Sequence, residues 1–543
     1  MKAIEQTSSS IFVDFRFLGN KEEIAFNPHQ QKVYLLDFEK PVYVLRINNQ
    51  VGLATSGKVI PANNINGNEP EVIGVLPAFT PQMWGNEDFK STYRTSYSYY
   101  TGAMANGIAS TNMVIALGKA GFMGSFGAAG LPPARLEEAI KAIQSELPYG
   151  PYAFNLIHSP NEDALERNAV NLYLKYQVRT VEASAFLDLS PSIVQYRATG
   201  LEIGKNGNVE IKNHIIAKVS RKEVALKFLH PAPAAMLQLL VNQGKISPDQ
   251  ARLASQVPMA DDITIEADSG GHTDNRPLVC ILPVMLSLRD EVQKQYAIPF
   301  HVRIGAAGGI TTPSAVLAAF MMGADYVVTG TVNQACVESG ASDHTRRLLA
   351  QAGFADVTMA PCADMFEMGV KVQVLKTGTL FPMRAQKLYD LYTRYDSIDA
   401  IPVEERDKLE KQVFKRSFDS VWDDTVKFFS ERDPDQITRA NSNPKRKMAL
   451  IFRWYLGLSS RWSNTGEKGR EMDYQIWCGP GIGSFNDWTK STYLADYQSR
   501  HVVDIARHLL VGCCYLDRVQ QLVRMGVKLQ DGIDHYVPEK QLF

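Results

Sequence analysis

Short runs of β-branched and apolar residues alternate with stretches of helical periodicity between residues 97 and 331. A strand buried on both faces forms a continuous apolar run, whereas apolar residues three and four positions apart indicate an amphipathic helix. Eight strand-then-helix units follow this pattern, with the strand segments SYYTGAM, GFMGSFG, YAFNLIH, VRTVEAS, HIIAKVS, ITIEADS, VRIGAAGG and YVVTGT. Eight such units predict an α/β fold, a (β/α)8 TIM barrel, better than an open parallel sheet.

The regions on either side of these units have other patterns. Residues 1–88 show strand-like alternation, which predicts a small β-rich N-terminal region with an exposed loop at PANNINGNEP, residues 61–70. Residues 89–390 would hold the barrel, with a helical insertion at 231–258. Residues 391–543 predict a helical C-terminal region.

Composition excludes several classes of function. The formal net charge is −1, so we expect neither nucleic acid nor a membrane surface as a partner. The N-terminus lacks a signal-peptide pattern, and no run of 18 uncharged apolar residues occurs, so we expect a cytoplasmic protein. The cysteines predict neither a disulfide framework nor a metal site, because none form CxxC pairs. They are Cys280, Cys336, Cys362, Cys478, Cys513 and Cys514.

Function in such barrels gathers at the carboxyl ends of the strands. The seventh and eighth segments end in GAAGGI and TGT, which places Gly308, Gly309, Gly330 and Thr331 close together. Glycines let backbone N–H groups approach an anion closely, and helix N-termini add positive dipole ends. We therefore predict a phosphate site here, the alternative being two tight turns.

FMN is the phosphate ligand that suits this geometry. No GxGxxG motif opens a βαβ unit and no GxxxxGK[ST] motif is present, so neither a Rossmann nor a P-loop site is predicted. With the phosphate at the last two loops, the flavin ring would lie over the barrel mouth. Backbone groups at Ala103 and Met104 and the side chain of Asn155 are candidates to hold the ring edge, although each is more often structural.

The sixth segment ends in EADSGGHTD, residues 266–274. Gly270 and Gly271 would let the chain pass close to the flavin, and His272 would stand over the ring. An unperturbed imidazole titrates near pH ~6.5 and can deliver or take a proton. We therefore take His272 as the candidate catalytic residue and Asp274 as the candidate group that orients it. The alternative is a histidine satisfied within a polar loop.

These motifs carry a resemblance. EADSGGHTD, RIGAAGGI and VVTGT, with TGAMANGIASTNMVIALGKAGFMGSFGAAG, resemble the nitronate monooxygenase and FMN-dependent enoyl-reductase superfamily over about 97–390. SGGHTDNRPL, the 231–258 insertion and the C-terminal helical region resemble a narrower group over nearly the whole chain. That group is the PfaD-type trans-acting enoyl reductases of polyunsaturated fatty acid synthases and trans-acyltransferase polyketide synthases.

The resemblance implies an FMN-containing barrel that uses NADPH or NADH to reduce an enoyl thioester on an acyl carrier protein, with megasynthase subunits as partners. It implies a phosphate at the glycines of the last two loops, and His272 as proton donor or substrate-positioning group. Flavin N5 would give hydride to the β-carbon while a proton reaches the α-carbon. The superfamily motif often has a glutamate where this chain has Asp268, so contact of Asp268 with the flavin or with the loop stays open.

Two other functions remain at this point. One is a nitronate monooxygenase-like flavin oxidase that uses dioxygen. The other is a non-catalytic docking subunit of a megasynthase, for which the highly charged region 397–448 is the argument. Arg276 and Arg303 fit either structural ion pairs or an anionic carrier. The sequence leaves open a fatty acid or a polyketide pathway, and a homodimer or another oligomeric state.

Overall fold

The computed structural model describes residues 14–62, 69–158, 163–295 and 300–542. The chain folds as two compact units, Met1–Trp84 with His508–Val537 and Gly85–Arg507 with Pro538–Phe543. The domain boundaries expected at residues 88 and 390 stay predictions. Most of the loop predicted at 61–70 lies outside the described residues. So do residues 161 and 162, where the helix after YAFNLIH is expected to begin.

The strands are numbered here in chain order. They are β1 (Phe15–Leu18), β2 (Val42–Ile47), β3 (Gln50–Ala54), β4 (Lys58–Pro61), β5 (Glu71–Leu76), β6 (Tyr99–Thr101), β7 (Met123–Phe126), β8 (Ala153–Ile157), β9 (Thr180–Ser184), β10 (Leu201–Ile203), β11 (Val209–Ile211), β12 (His214–Val219), β13 (Asp262–Glu266), β14 (Gly271–His272), β15 (Arg303–Ala307), β16 (Tyr326–Thr329), β17 (Val357–Pro361) and β18 (Lys371–Leu375).

The α-helices are numbered in the same way. They are α1 (Pro28–Leu36), α2 (Glu87–Tyr93), α3 (Thr111–Lys119), α4 (Pro133–Glu146), α5 (Asp163–Lys175), α6 (Pro191–Thr199), α7 (Lys222–Leu229), α8 (Ala234–Asn242), α9 (Pro248–Ala254), α10 (Leu278–Gln295), α11 (Pro313–Met321), α12 (Thr331–Gln334), α13 (Asp343–Gln351), α14 (Phe381–Arg394), α15 (Val403–Lys408), α16 (Phe418–Arg432), α17 (Asp435–Asn441), α18 (Pro444–Thr465), α19 (Gly481–Thr489) and α20 (Val502–Arg524).

A closed parallel barrel forms the centre of the larger unit. Its strands, in spatial order, are β12, β13, β15, β16, β6, β7, β8 and β9. Each coincides with one of the eight predicted strand segments, β13 beginning one residue before its segment. The TIM-barrel prediction is therefore confirmed. Side chains fill the interior, where the hydroxyl of Thr264 lies 3.1 Å from that of Tyr100 and 2.9 Å from that of Tyr326. The barrel is a packed core, so a ligand site must lie at its mouth.

The additions to the barrel are also of the predicted kinds. The first unit contains an antiparallel sheet in the order β3-β2-β5-β1-β4, which confirms the small β-rich N-terminal region. Helices α8 and α9 form the helical insertion, and α14–α20 make the C-terminal additions helical. Among the described residues, no single helix is long and apolar enough to span a membrane. Helices α7 and α8 reach that length and apolarity only together, as a pair bent by 56°.

A buried ion pair lies at the amino-terminal end of the barrel. Arg303 and Asp262 begin β15 and β13 and stand opposite each other in the parallel register. The guanidinium donates two hydrogen bonds to the carboxylate, Nε to Oδ1 at 2.7 Å and Nη2 to Oδ2 at 2.6 Å. The Asp262 side chain is 0% exposed and that of Arg303 8%. Arg303 thus serves a structural pair, which resolves one choice that the sequence left open.

Replacing Arg303 with methionine should lower the free energy of unfolding by about 3–5 kcal/mol, because Asp262 would keep a buried charge without its partner. Chemical denaturation would measure the loss. Arg135→Met is the matched control, since its pair with Glu138 is 71% and 65% exposed and should contribute under ~1 kcal/mol. Similar losses in both variants would contradict the structural role of the Arg303 pair.

Candidate functional site at the barrel mouth

A cavity of about 1520 Å³ opens at the carboxyl ends of the barrel strands. The loops after β6, β9, β13, β15 and β16 line it on one side. Segments from the C-terminal extension, including parts of α16 and α18, line the other side. Pockets for one small ligand usually measure roughly 300–1,000 Å³. This cavity therefore has room for a cofactor and a substrate together.

Most of the predicted site residues lie on this cavity. Those that line it are Ala103, Met104, Asp268, Gly270, Gly271, His272, Gly308, Gly309, Gly330 and Thr331. Asn155 and Asp274 are outside its lining. The structure therefore brings together the loops after β6, β13, β15 and β16, as the sequence motifs predicted. The ligand roles of these residues stay predictions.

Asn155 and Asp274 serve other contacts. The amide of Asn155 donates to the Glu182 carbonyl at 3.1 Å and to the Ser184 hydroxyl at 2.7 Å, which links β8 to β9. The Asp274 carboxylate takes two hydrogen bonds from Arg221, at 2.9 and 2.8 Å. These bonds lower the pKa of Asp274 to about 2. Asp274 thus links its loop to the residue before α7, Arg221. The prediction that Asp274 orients His272 does not agree with this geometry, because its carboxylate is bound to Arg221.

The glycines of the last two loops form an open cradle. Gly308 has a φ of +89°, and a Cβ there would lie 2.7 Å from the backbone of Ala267, so this position requires glycine. A Cβ added at Gly309 or at Gly330 would meet no heavy atom within 4 Å. Both residues line the cavity, so their backbone borders empty space. A cradle of this kind fits a phosphate group that must approach the backbone closely.

A third glycine-rich segment borders this cradle, and we did not predict it from the sequence. Gly479 and Gly481, at the start of α19, line the cavity. The Gly479 N–H donates to the Thr331 hydroxyl at 3.3 Å. A Cβ at Gly270 would lie 2.7 Å from the nitrogen of Cys478, so the two loops pack backbone to backbone. The signal that could have revealed this segment was CGPGIG, whose glycine density matches that of the other loops.

Asp268 holds the loop after β13 in its conformation. Its Oδ1 atom accepts hydrogen bonds from the amides of Asn275, at 2.9 Å, and Gln373, at 2.8 Å. Gln373 is 5% exposed and also donates to the Ser269 carbonyl at 2.7 Å. Of the two contacts that the sequence left open for Asp268, with the flavin or with the loop, the structure shows the one with the loop, through Asn275 and through Gln373 of β18.

His272 faces a carboxylate from the C-terminal extension. Its strand, β14, pairs antiparallel with β18, with His272 opposite Val372. The Nε2 atom lies 3.1 Å from Oδ2 of Asp364, and the imidazole side chain is 38% exposed. The contact is a close charge pairing rather than an aligned hydrogen bond. Asp364 thus occupies the position that we expected Asp274 to take.

The charges around His272 favour its protonated form. Burial alone would lower its pKa, but the carboxylates of Asp364 and Glu266 outweigh burial and raise the pKa above the ordinary histidine value. Burial would conversely raise the pKa of Asp364, but its contacts with His272 and Cys362 lower it. The pair at the cavity wall therefore favours a cationic imidazole beside an anionic carboxylate up to a higher pH than a free histidine would allow.

A lysine held between two glutamates lies deeper in the cavity. Lys218 Nζ is 3.1 Å from Oε1 of Glu266 and 3.5 Å from Oε1 of Glu182. Burial would lower the pKa of Lys218, but the two carboxylates raise it above its usual value, so the amine stays charged. The other oxygen of Glu182 accepts a hydrogen bond from the Ala103 N–H at 3.0 Å. We missed this group, although a lysine and a glutamate near the carboxyl ends of the predicted strands HIIAKVS and VRTVEAS were a usable signal.

Comparison with known proteins identifies the family. Residues 93–383, more than half of the chain, match the nitronate monooxygenase family. Residues 18–78 match the N-terminal domain of the fatty acid synthase subunit PfaD. The chain is a PfaD-type member of the nitronate monooxygenase family. The resemblance inferred from the sequence motifs is therefore confirmed. In this PfaD-type chain, residues 395–474 also match the inserted helical domain of acyl-carrier-protein S-malonyltransferases.

Similar proteins come from multienzyme pathways. A polyunsaturated fatty acid synthase subunit of Thraustochytrium sp. is 46% identical over 528 residues, which are 95% of this chain and 35% of that protein. The polyketide biosynthesis protein PksE of Bacillus subtilis is 45% identical over 482 residues, 88% of this chain and 62% of PksE. The chain thus spans only part of each of these relatives.

One solved structure shares both fold and sequence with the PfaD-type chain. It is the enoyl reductase domain of MlnA, from the macrolactin biosynthesis cluster of Bacillus amyloliquefaciens, with 39% identity and a TM-score of 0.76. The match covers 82% of this chain and 98% of the MlnA domain.

The Asp364→Asn variant should lower the pKa of His272, because the main charge that offsets burial is removed. The imidazole would then lose its proton at a lower pH than in the unsubstituted protein. Nuclear magnetic resonance of isotope-labelled histidines would follow the titration. Asp274→Asn is the control and should leave the titration of His272 unchanged, because Asp274 pairs with Arg221. A shift in the control of equal size would contradict the assignment of Asp364.

Proposed function

We propose that the chain is an FMN-containing enoyl reductase that uses NADPH or NADH to reduce enoyl thioesters on an acyl carrier protein. The observation that carries the proposal is a single cavity lined by both an open glycine cradle and His272 with its partner Asp364. The likeness to the MlnA enoyl reductase domain, at 39% identity, supports the reaction class. The names of the other relatives support a place beside a megasynthase.

The residues around the cradle fit FMN. Backbone N–H groups at Gly309, Gly330 and Thr331 would hold the phosphate, since added Cβ atoms at the two glycines meet only open space. The backbone of Ala103 and Met104 would border the ring. Lys218 would place a fixed positive charge near it, kept in position by Glu182 and Glu266. When bound, FMN supplies the hydride that reduces the carbon–carbon double bond.

His272 is the proposed source of the proton. Its carboxylate neighbours keep it protonated to a higher pH than an ordinary histidine. Since Nε2 is buried against Asp364, the proton for the α-carbon of the substrate would come from the other ring nitrogen, Nδ1. Asp364 acts as a positioning residue that stabilises the imidazolium and holds the ring at the wall of the cavity. Turnover should accordingly fall as the pH rises through the raised pKa of His272.

The part of the cavity wall that the C-terminal extension supplies suits an acyl chain. Phe428, Trp454, Leu458 and Trp477 line it with apolar and aromatic surface. At its rim, Lys427 and Arg461 are exposed and make no ion pair within the described part of the chain. Two exposed cations beside an apolar channel fit a thioester that arrives on an acidic carrier protein. On this ground we extend the partner proposal to the carrier protein of a megasynthase, and we keep the cytoplasm as the proposed compartment.

Mixing the purified protein with NADPH and a crotonyl thioester tests the proposal. The protein should be yellow, and the thioester should rapidly reoxidise the reduced flavin. His272→Ala should retain flavin and lose roughly 10²–10⁴-fold in turnover, whereas His535→Ala, at a histidine that is 78% exposed, should behave as the unsubstituted protein. Reoxidation only by a nitronate with oxygen would indicate the oxidase, and a colourless protein that takes up no FMN would indicate a docking subunit.

The Gly309→Asp variant should bind FMN much more weakly, since a carboxylate in the cradle would repel the phosphate. Equilibrium titration of the flavin-free protein with FMN, followed by fluorescence quenching, measures the change. Gly207→Asp is a matched control, because Gly207 has a φ of +80° against +73° at Gly309 and neither would meet an atom within 4 Å. Equal FMN affinity in the two variants would remove the phosphate from the proposed position.

A further inference from the structure

We propose that His272, Cys362 and Asp364 form a binding site for a thiophilic divalent cation, with Zn²⁺ as the reference ion. The imidazole nitrogen, the thiol sulfur and a carboxylate oxygen of these residues all lie within 4.8 Å of one another. All three residues line the cavity at the barrel mouth. We predicted no metal site from the sequence, because the cysteines are isolated along the chain and this cluster forms only in the fold.

The small sheet over the barrel mouth brings the three ligands together. Its strands lie in the order β14-β18-β17, and Val372 of β18 stands opposite both His272 and Ala360. Cys362 and Asp364 follow directly after β17. Since the backbone hydrogen bonds of a sheet hold its strands in register, the ligands keep their spacing without a bound ion. A site held in this way loses little conformational entropy on binding.

The ligand set selects the class of metal. Thiolate and imidazole ligands favour Zn²⁺, whereas Mg²⁺ and Ca²⁺ prefer oxygen ligands alone. Three protein ligands leave the fourth tetrahedral position open, as in zinc sites that bind a water molecule. Here that position faces the cavity, because each ligand residue forms part of its wall. On coordination, the Cys362 thiol and the protonated His272 imidazole would each release a proton to solvent.

A metal on His272 would change the reactivity of the cavity. A metal at Nε2 would take the place of one of the two ring protons, so the imidazolium proposed as the proton donor could not form. Zn²⁺ should therefore inhibit the reductase reversibly, an effect that rests on the proposed function. Binding of the metal itself does not rest on that function. The two ideas can consequently fail separately.

Calorimetric titration of the 543-residue protein, as purified, with ZnCl₂ tests the site. One Zn²⁺ should bind per chain, and Cys362→Ser should weaken binding by at least roughly tenfold. Asp364→Asn should act in the same direction and is a second variant in case the cysteine substitution affects folding. Cys280→Ser is the matched control, since Cys280 is an exposed cysteine on α10, and it should bind Zn²⁺ as the unsubstituted protein does.

The outcomes separate the metal site from the reaction. Absence of binding, or unchanged binding in both Cys362→Ser and Asp364→Asn, would overturn the metal site and leave the enoyl reductase proposal intact. Inhibition by Zn²⁺ that a chelator reverses, and that Cys362→Ser resists, would support both. Tight binding at this cluster with full turnover would support the metal site and contradict the role of His272 as proton donor.

Discussion

The antiparallel pairing of the two-residue strand β14 with β18 joins the loop after the sixth barrel strand to the C-terminal extension. This contact sets the position of His272, and the same sheet carries the segment that ends in Asp364. Gln373, on β18, also bonds to Asp268 and so shapes the turn before His272. Without this pairing, the histidine would be a polar side chain in a loop. With it, the imidazole faces a carboxylate at the wall of the main cavity.

The barrel separates the groups that stabilise it from the groups that line the cavity. At the amino ends of the strands, Asp262 and Arg303 form a fully bonded pair that is shielded from water. At the carboxyl ends, Lys218 lies among carboxylates and borders open space. Both arrangements place charges in an apolar sheet, which is costly unless each charge has a partner. Only the charges around Lys218 are accessible to a ligand, so the site of a reaction is expected at the carboxyl ends of the strands.

The cavity is large because two parts of the chain line it, the barrel loops and the C-terminal extension. The loops after the barrel strands supply the glycine cradle, and the helices of the C-terminal extension supply an apolar wall with Phe428 and Trp454. The part of the chain that matches a helical domain inserted in acyl-carrier-protein malonyltransferases, residues 395–474, forms much of this wall. A barrel alone would offer a shallow mouth. The extension encloses a cavity large enough for two ligands. Its lining includes the exposed Lys427 and Arg461 together with Asp424 and Asp433.

The sequence by itself determined the barrel. Each parallel strand is buried on both faces, so it can be predicted from its own short, largely apolar segment without knowledge of its neighbours. It also determined the cradle, because the order of the strands places the loops with Gly309 and Gly330 side by side in any eight-stranded barrel. The partner of His272 was decided by tertiary structure. Asp274 is near in sequence and was the natural candidate, but Arg221 binds it, and Asp364 reaches the histidine only through a sheet that local patterns do not specify. The contact between His272 and Asp364 depends on the pairing of β14 with β18. Which strand edges pair depends on the packing of the whole unit.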